Sequence, residues 1–194
     1  VGRAWFRGRR LEVGPGVFLP RLETELVAEQ AIQEARRLVM SGACPSVVDL
    51  CAGTGAIALA VASEVPGCRV SAVELDDAAA VWTRRNVCGS GVEALVGDAL
   101  RVPDDGRRFD VVVTNPPYLR RIDAPSIPDD VTGHEPDFAL FSGDDGLDLP
   151  LRLIERAAEL LVPGGLFIME HDATLREELM AALAPSYAWE PIEE

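Results

Sequence analysis

A chain of 194 residues, 48% of them hydrophobic, is long enough to bury one full core and too apolar to stay disordered. Its net charge of −14, with all 18 basic residues arginine, argues against a nucleic-acid surface, which needs cations for phosphates. The longest charge-free stretch, Leu50 to Ser63, falls short of the roughly 18 residues that span a bilayer. No basic-then-apolar leader with a small-residue cleavage site opens the sequence, so no membrane association and a cytoplasmic location are expected. Cys44, Cys51, Cys68 and Cys88 form no C-x-x-C pair, and only two His residues occur, so neither a zinc site nor a disulfide framework is expected.

Residues 4–19 read as a hairpin: Ala4 to Arg7, a turn at Gly8, Arg10 to Val13, and, after Gly14-Pro15-Gly16, a further extended run Val17 to Leu19. This gives an N-terminal hairpin segment over 1–20 and a main domain over 21–194. Thr24 is placed to cap a helix running to about Met40, with apolar positions at Leu26, Val27, Ile32, Ala35 and Leu38. Strands and helices then alternate. Strand Val47–Leu50 leads to helix Gly55–Glu64, strand Arg69–Leu75 to helix Asp77–Cys88, and strand Glu93–Val96 to Gly97-Asp98. Strand Asp110–Thr114 ends at Asn115, and an acidic loop follows. Helix Leu147–Leu161, a turn at Pro163-Gly164-Gly165, strand Leu166–Glu170 and helix Ala173–Ala184 complete the series. The repetition predicts an α/β, Rossmann-like, doubly wound parallel sheet. Such a sheet usually gains further strands; Tyr187-Ala188-Trp189 is placed to begin one, and a truncated C-terminal edge is expected.

The stretch richest in chemistry is Asn115-Pro116-Pro117-Tyr118, at the end of the run Asp110–Thr114. Two prolines cannot donate to a sheet ladder, so the strand stops there. Asn115, preceding a proline, is pushed towards an extended conformation. Its carboxamide oxygen and the Pro116 carbonyl can then point the same way beside the Tyr118 ring. Two acceptors and a flat wall suit a planar –NH2 group gripped by both hydrogens. Asn115, Pro116, Pro117 and Tyr118 are therefore the candidate catalytic residues.

Asp49-Leu50-Cys51-Ala52-Gly53-Thr54-Gly55 turns from strand to helix, and its glycines allow close backbone approach to a ligand. Glu74 ends the next strand, where a doubly wound fold places an acid for ribose hydroxyls. Asp98, at the end of the third strand, can accept an adenine amino hydrogen. A dinucleotide site prefers G-x-G-x-x-G, whereas Ala58 holds the last position here. A carboxylate at Asp49 suits ammonium and sulfonium charges, so S-adenosylmethionine fits better than a nicotinamide dinucleotide. The sequence from Ile122 to Pro150 holds eight acids and no Arg or Lys, which repels a polyanion beside this site. His134 and His171 are expected to serve as structural hydrogen-bonding residues rather than bases.

Beyond these readings, the segments Pro20-Arg-Leu-Glu-Thr-Glu25, Asp49–Gly55, Asn115–Tyr118, Glu135-Pro136, Gly143-Asp-Asp-Gly-Leu-Asp148 and Pro163-Gly-Gly165 recur in a known order. They resemble the protein-(glutamine-N5) methyltransferases that modify peptide-chain release factors. Asn-Pro-Pro-Tyr alone is shared with adenine-N6 and guanine-N2 nucleic-acid methyltransferases; the other segments are more specific. The resemblance implies a fold of the class I S-adenosylmethionine-dependent methyltransferase type, with S-adenosylhomocysteine as product. It implies that Cys51, Ala52, Gly53, Thr54 and Gly55, Glu74 with Leu75, and Asp98 with Ala99 line the donor site. Thr24 and Glu25 are implied to lie near the donor, and Asn115 to Tyr118 to hold the target glutamine, with Asn115 bordering both ligands. No metal is implied. Family members usually carry an N-terminal helical domain, whereas this chain begins directly at the hairpin. Alternatives are the same donor and fold acting on a small-molecule or nucleic-acid amine, or a binding module without catalysis. The intact Asn115, Pro116 and Tyr118 argue against the last.

Overall fold

The computed structural model describes residues 2–127, 135–183 and 189–190. Strands β1 (Arg3–Phe6) and β2 (Arg9–Glu12) pair antiparallel, from Arg3↔Glu12 to Phe6↔Arg9, around a turn at Arg7 and Gly8. The run expected to follow as an extended strand, Val17–Leu19, forms none: the Leu19 N–H donates to Glu135 Oε1 at 3.0 Å instead of to a ladder. Three glutamates fasten the hairpin turn to two helices, α1 (Thr24–Met40) and α2 (Ala56–Glu64). The Arg7 N–H donates to Glu25 Oε1 (2.6 Å), and its guanidinium reaches Glu29 Oε2 (2.6 Å) and Glu64 Oε1 (2.8 Å).

Five parallel strands form the main sheet: β3 (Ser46–Leu50), β4 (Arg69–Glu74), β5 (Glu93–Val96), β6 (Phe109–Thr114) and β7 (Leu161–Met169), in the order β5-β4-β3-β6-β7. Among the described residues the further helices are α3 (Asp77–Val87), α4 (Asp137–Leu140), α5 (Asp148–Leu160) and α6 (Arg176–Leu183). Both sheet faces are covered, which is why the central strands read as unbroken apolar runs. Val47, Val111 and Val113 pack with Ile32 of α1 and Ile57 and Val61 of α2. Val48, Leu50 and Val112, on the other face, pack with Leu153, Ala157 and Leu160 of α5. Each fully buried valine contributes about 1.5–3 kcal/mol. The expected doubly wound α/β sheet is present.

Several local expectations differ from what forms. Thr24 opens α1 but does not cap it; Glu23 holds the cap position, without a side-chain cap bond. Pro163-Gly164-Gly165 lies within β7 at a register shift, where Phe109 pairs with Leu161 and Val111 with Leu166, and is not a turn before the strand. The last helix is split into a 3-10 turn at Ala173–Leu175 and α6, and its expected end at Ala184 lies outside the described residues. A further 3-10 turn spans Arg121–Ser126. The expected strand start at Tyr187 and the role of His134 lie outside the described residues; Trp189 packs against Phe167 with ring centroids 6.0 Å apart. Among the described residues no helix is long and apolar enough to cross a membrane.

β3 pairs with β4 on one side and β6 on the other, so chain order reverses at β3/β6 and a crevice opens beyond the carboxyl ends of these strands. The Thr114 hydroxyl donates to Leu50 O at 2.7 Å and locks the two strand ends at that point.

Candidate active site

A cleft of about 400 Å³ occupies that crevice. One half is built from backbone turns. After β3, Cys51 takes a left-handed φ of 61° and Ala52 N–H donates to Val73 O at 2.9 Å. Gly55, φ 76°, starts α2 in the same region, which an L side chain resists. Side chains from α3 hold the loop's carbonyls: Thr83 Oγ1 donates to Gly53 O (2.6 Å) and Asn86 Nδ2 to Thr54 O (2.9 Å). Asn86 also exchanges two hydrogen bonds with the Glu12 backbone, so β2 braces the loop through one residue.

Glu74, at the end of β4, accepts from Gly53 N (2.7 Å) on one carboxylate oxygen and from Asp76 N (2.9 Å) on the other. Burial lifts its carboxyl above the usual range, against the pull of those two N–H groups. Each oxygen keeps a second lone pair for a ligand hydroxyl. Beyond β5, Asp98 accepts from Leu100 N at 2.9 Å. Cys51 to Thr54, Glu74, Leu75, Asp98 and Ala99 all line this half of the cleft. Burial, seconded by Glu74, pushes the Cys51 thiol up to about 12, so it stays protonated.

Three residues expected at the donor site do not line it. Asp49 lies beneath the loop, 1% exposed; its Oδ2 accepts from Ala58 N at 3.0 Å, and its Oδ1 is buried without a partner among the described residues. Desolvation pushes its carboxyl up to about 8, with Glu74 adding to the rise. Gly55 faces α3, where a Cβ would press on Val87 and Thr83 at 3.1 and 3.2 Å. Glu25 is turned to the hairpin turn by its bond to Arg7.

The other half is built from side-chain clasps. Asn115 Nδ2 donates to Thr24 Oγ1 at 3.0 Å, while Asn115 Oδ1 and the Pro116 carbonyl have no partner among the described residues. Tyr118 OH donates to Glu170 Oε1 at 3.0 Å; burial, then that carboxylate, raise the phenol's pKa and keep it neutral. Gly146, φ 83°, packs so closely that a Cβ would collide with the Tyr118 carbonyl. Backbone bonds from Leu119 N to Leu140 O and Ser142 N to Leu119 O bind the turn to the segment after α4. Buried Glu135 accepts from Arg21 Nη2 (2.7 Å), whose guanidinium lies 4.7 Å over the Phe18 ring. Thr24 and Asn115 to Tyr118 line the cleft, together with Phe18, Pro20, Phe138 and Leu140. His171 stands off this wall, its Nδ1 2.9 Å from Asp172 O. The sequence offered no local signal for Thr83, Asn86 or Glu170, which act on partners far away in the chain; Arg21 and Glu135 stood in recognised segments but without a role.

Residues 23–127 match the family described as "Methyltransferase small domain". The chain belongs to that family. Within it, the chain is 51% identical over 176 residues to the release factor glutamine methyltransferase of Streptomyces coelicolor, covering 90% of this chain and 62% of the relative. It is 42% identical over 195 residues to the 4-amino-L-phenylalanine/4-methylamino-L-phenylalanine methyltransferase of Streptomyces pristinaespiralis, covering 97% of this chain and 65% of that relative. The chain thus spans a little under two thirds of the length of these relatives. The ribosomal protein L11 methylase of Lactobacillus delbrueckii subsp. bulgaricus superposes with a TM-score of 0.60 at 21% identity, over 90% of this chain and 72% of that one. The family's fold is the class I methyltransferase sheet, here with an N-terminal antiparallel hairpin.

Proposed function

We propose that this methyltransferase-family chain moves a methyl group from S-adenosylmethionine to the side-chain amide nitrogen of a glutamine in a protein, a cytoplasmic peptide-chain release factor. The observation that carries the reading is the placement of Asn115 to Tyr118 on the same cleft as the Gly53 loop and Glu74. The residues fit such a donor: Glu74 offers paired carboxylate oxygens for ribose hydroxyls and Asp98 a polar edge. The name of the Streptomyces coelicolor relative supports the acceptor.

Bound there, S-adenosylmethionine supplies a sulfonium methyl electrophilic enough to need no acid. An amide nitrogen is a poor nucleophile because its lone pair is delocalised. Asn115 Oδ1 and the Pro116 carbonyl, both unpartnered among the described residues, accept its two N–H groups and raise its electron density. Each contact is worth on the order of 1–3 kcal/mol in a dry site. Holding the nitrogen in line with the methyl accounts for more, roughly 7–11 kcal/mol by intramolecular analogy. The N–C bond forms as the S–C bond breaks, and its electron pair leaves on sulfur as S-adenosylhomocysteine. The surplus proton on the charged nitrogen is acidic and passes to water, so no side-chain base is required. Tyr118, kept neutral beside Glu170, forms the flat wall.

A second reading is favoured by one feature. Phe18, Tyr118 and Phe138 give the acceptor end aromatic walls, and a 42% identical relative is named for a 4-amino-L-phenylalanine substrate. An aromatic amine is also planar and conjugated, and the same two acceptors would hold it. Incubating the purified protein with isotope-labelled donor and, separately, release factor, 4-amino-L-phenylalanine or DNA decides between them. Label on one glutamine of the release factor, located by peptide mass spectrometry, is the expected result. Label on the amino acid or DNA alone overturns it.

A further inference from the structure

We propose that Thr24 is the positioning residue for Asn115, holding its carboxamide with Nδ2 on the Thr24 hydroxyl and Oδ1 free for the cleft; this rests on the reading of Asn115 as the group that grips the acceptor –NH2. The two ends of a carboxamide are alike in size and opposite in hydrogen bonding. Rotation about the last torsion of Asn is broad and roughly two-fold, so an unheld carboxamide would not stay in one orientation. With Nδ2 committed to Thr24 Oγ1 at 3.0 Å, Oδ1 is the end left for the ligand. The hydroxyl can also donate to Oδ1, but that pairing would turn Nδ2 into the cleft and set donor against donor, so binding of an –NH2 group favours the pairing with Nδ2.

Thr24 is suited to this task. It is 4% exposed, at the first turn of a helix whose Ala28, Ala31 and Ile32 are fully buried, so its position is rigid. Its β-branched side chain has few rotamers. It does not cap α1, and among the described residues the bond to Asn115 is the sole hydrogen bond its side chain makes. A buried hydroxyl costs stability unless paired, and here its pairing is with the residue proposed to orient the substrate.

The test compares Thr24→Val, which keeps the shape and removes the hydroxyl, with Thr24→Ser, which keeps the hydroxyl. Thr24→Val is expected to lower kcat about 10²-fold, as for a misplaced group near the chemistry, with donor affinity by calorimetry unchanged; Thr24→Ser recovers most of the rate. Introduced into Asn115→Ala, Thr24→Val should cost nothing further, because the two act as a unit. Full kcat in Thr24→Val, or an equal loss in both backgrounds, overturns the proposal. A readout free of turnover is the water exchange of the Asn115 side-chain NH2 in 15N NMR, expected slow in wild type and Thr24→Ser and fast in Thr24→Val. If that pattern holds while the wild type methylates none of the acceptors offered, the functional reading fails and the hold of Thr24 on Asn115 stands. If exchange is equally slow in Thr24→Val, the role of Thr24 falls whatever the activity.

Discussion

The two halves of the cleft are built by different means. On the donor side, strand ends and tight turns do the work: Glu74 binds N–H groups two and 21 residues away, and the Gly53 and Thr54 carbonyls are fixed by α3, 30 and 32 residues on. On the acceptor side, three side-chain bonds join segments far apart in the chain: Thr24 to Asn115 across 91 positions, Arg21 to Glu135 across 114 and Tyr118 to Glu170 across 52. A sheet edge with its turns is one rigid body and tolerates a ligand passively. Clasps between separate segments set distances and angles at the reacting atoms, and each hangs on one or two side chains. Damage on the first side should therefore appear in affinity, and damage on the second in turnover.

The sharpest division should come from Asn115→Ala. Losing an acceptor that strengthens in the transition state costs about 10²–10³ in kcat, while donor affinity by calorimetry stays at the wild-type value. A parallel fall in donor affinity would mean that the halves are not separable. Next in size is Gly146→Ala, which adds a Cβ where the Tyr118 carbonyl already lies and at a φ of 83° that alanine resists. Pushing the turn aside is expected to lower kcat by roughly 10²-fold, again with donor binding spared. Glu74→Gln should do the converse. Trading a charged acceptor for a neutral one weakens donor binding by about 1.5–3 kcal/mol, or roughly ten- to hundredfold, while kcat at saturating donor stays near wild type.

This division also decides what could be read from residues alone. The alternation of strands and helices, the turn at Asp49–Gly55 and the acid ending β4 are local patterns, and the sheet forms where they place it. The Asn115–Tyr118 turn was legible for the same reason, since its prolines act on their own neighbours. Thr24 shows the limit: its type and position favoured a helix cap, yet the hydroxyl is claimed by a carboxamide 91 residues on. Glu25 was implied near the donor, and Arg7 draws it to the hairpin instead. Pairings set by tertiary packing leave no periodicity in the chain.

Asp49 is predicted to act on stability and not on turnover, and shows how a donor-side residue can act without touching the cleft. In the unfolded chain its carboxyl ionises near pH ~3.9, whereas in the fold desolvation holds the proton up to about pH 8. Between those values the unfolded state binds fewer protons, so stability falls as pH rises, by at most about 1.4 kcal/mol per pH unit. Below the window both states are protonated and above it both are ionised, and the slope from this residue vanishes. Asp49→Asn removes the titration while keeping an oxygen for the Ala58 N–H, so the melting temperature of the variant should gain on the wild type steadily from pH 4 to 8. A constant difference across that range would show that the carboxylate is already charged in the fold, and that something offsets its buried, unpartnered Oδ1. Because the acceptor half has no part in this, kcat at saturating donor should be unaffected by the same substitution, which keeps the comparison between the two halves intact.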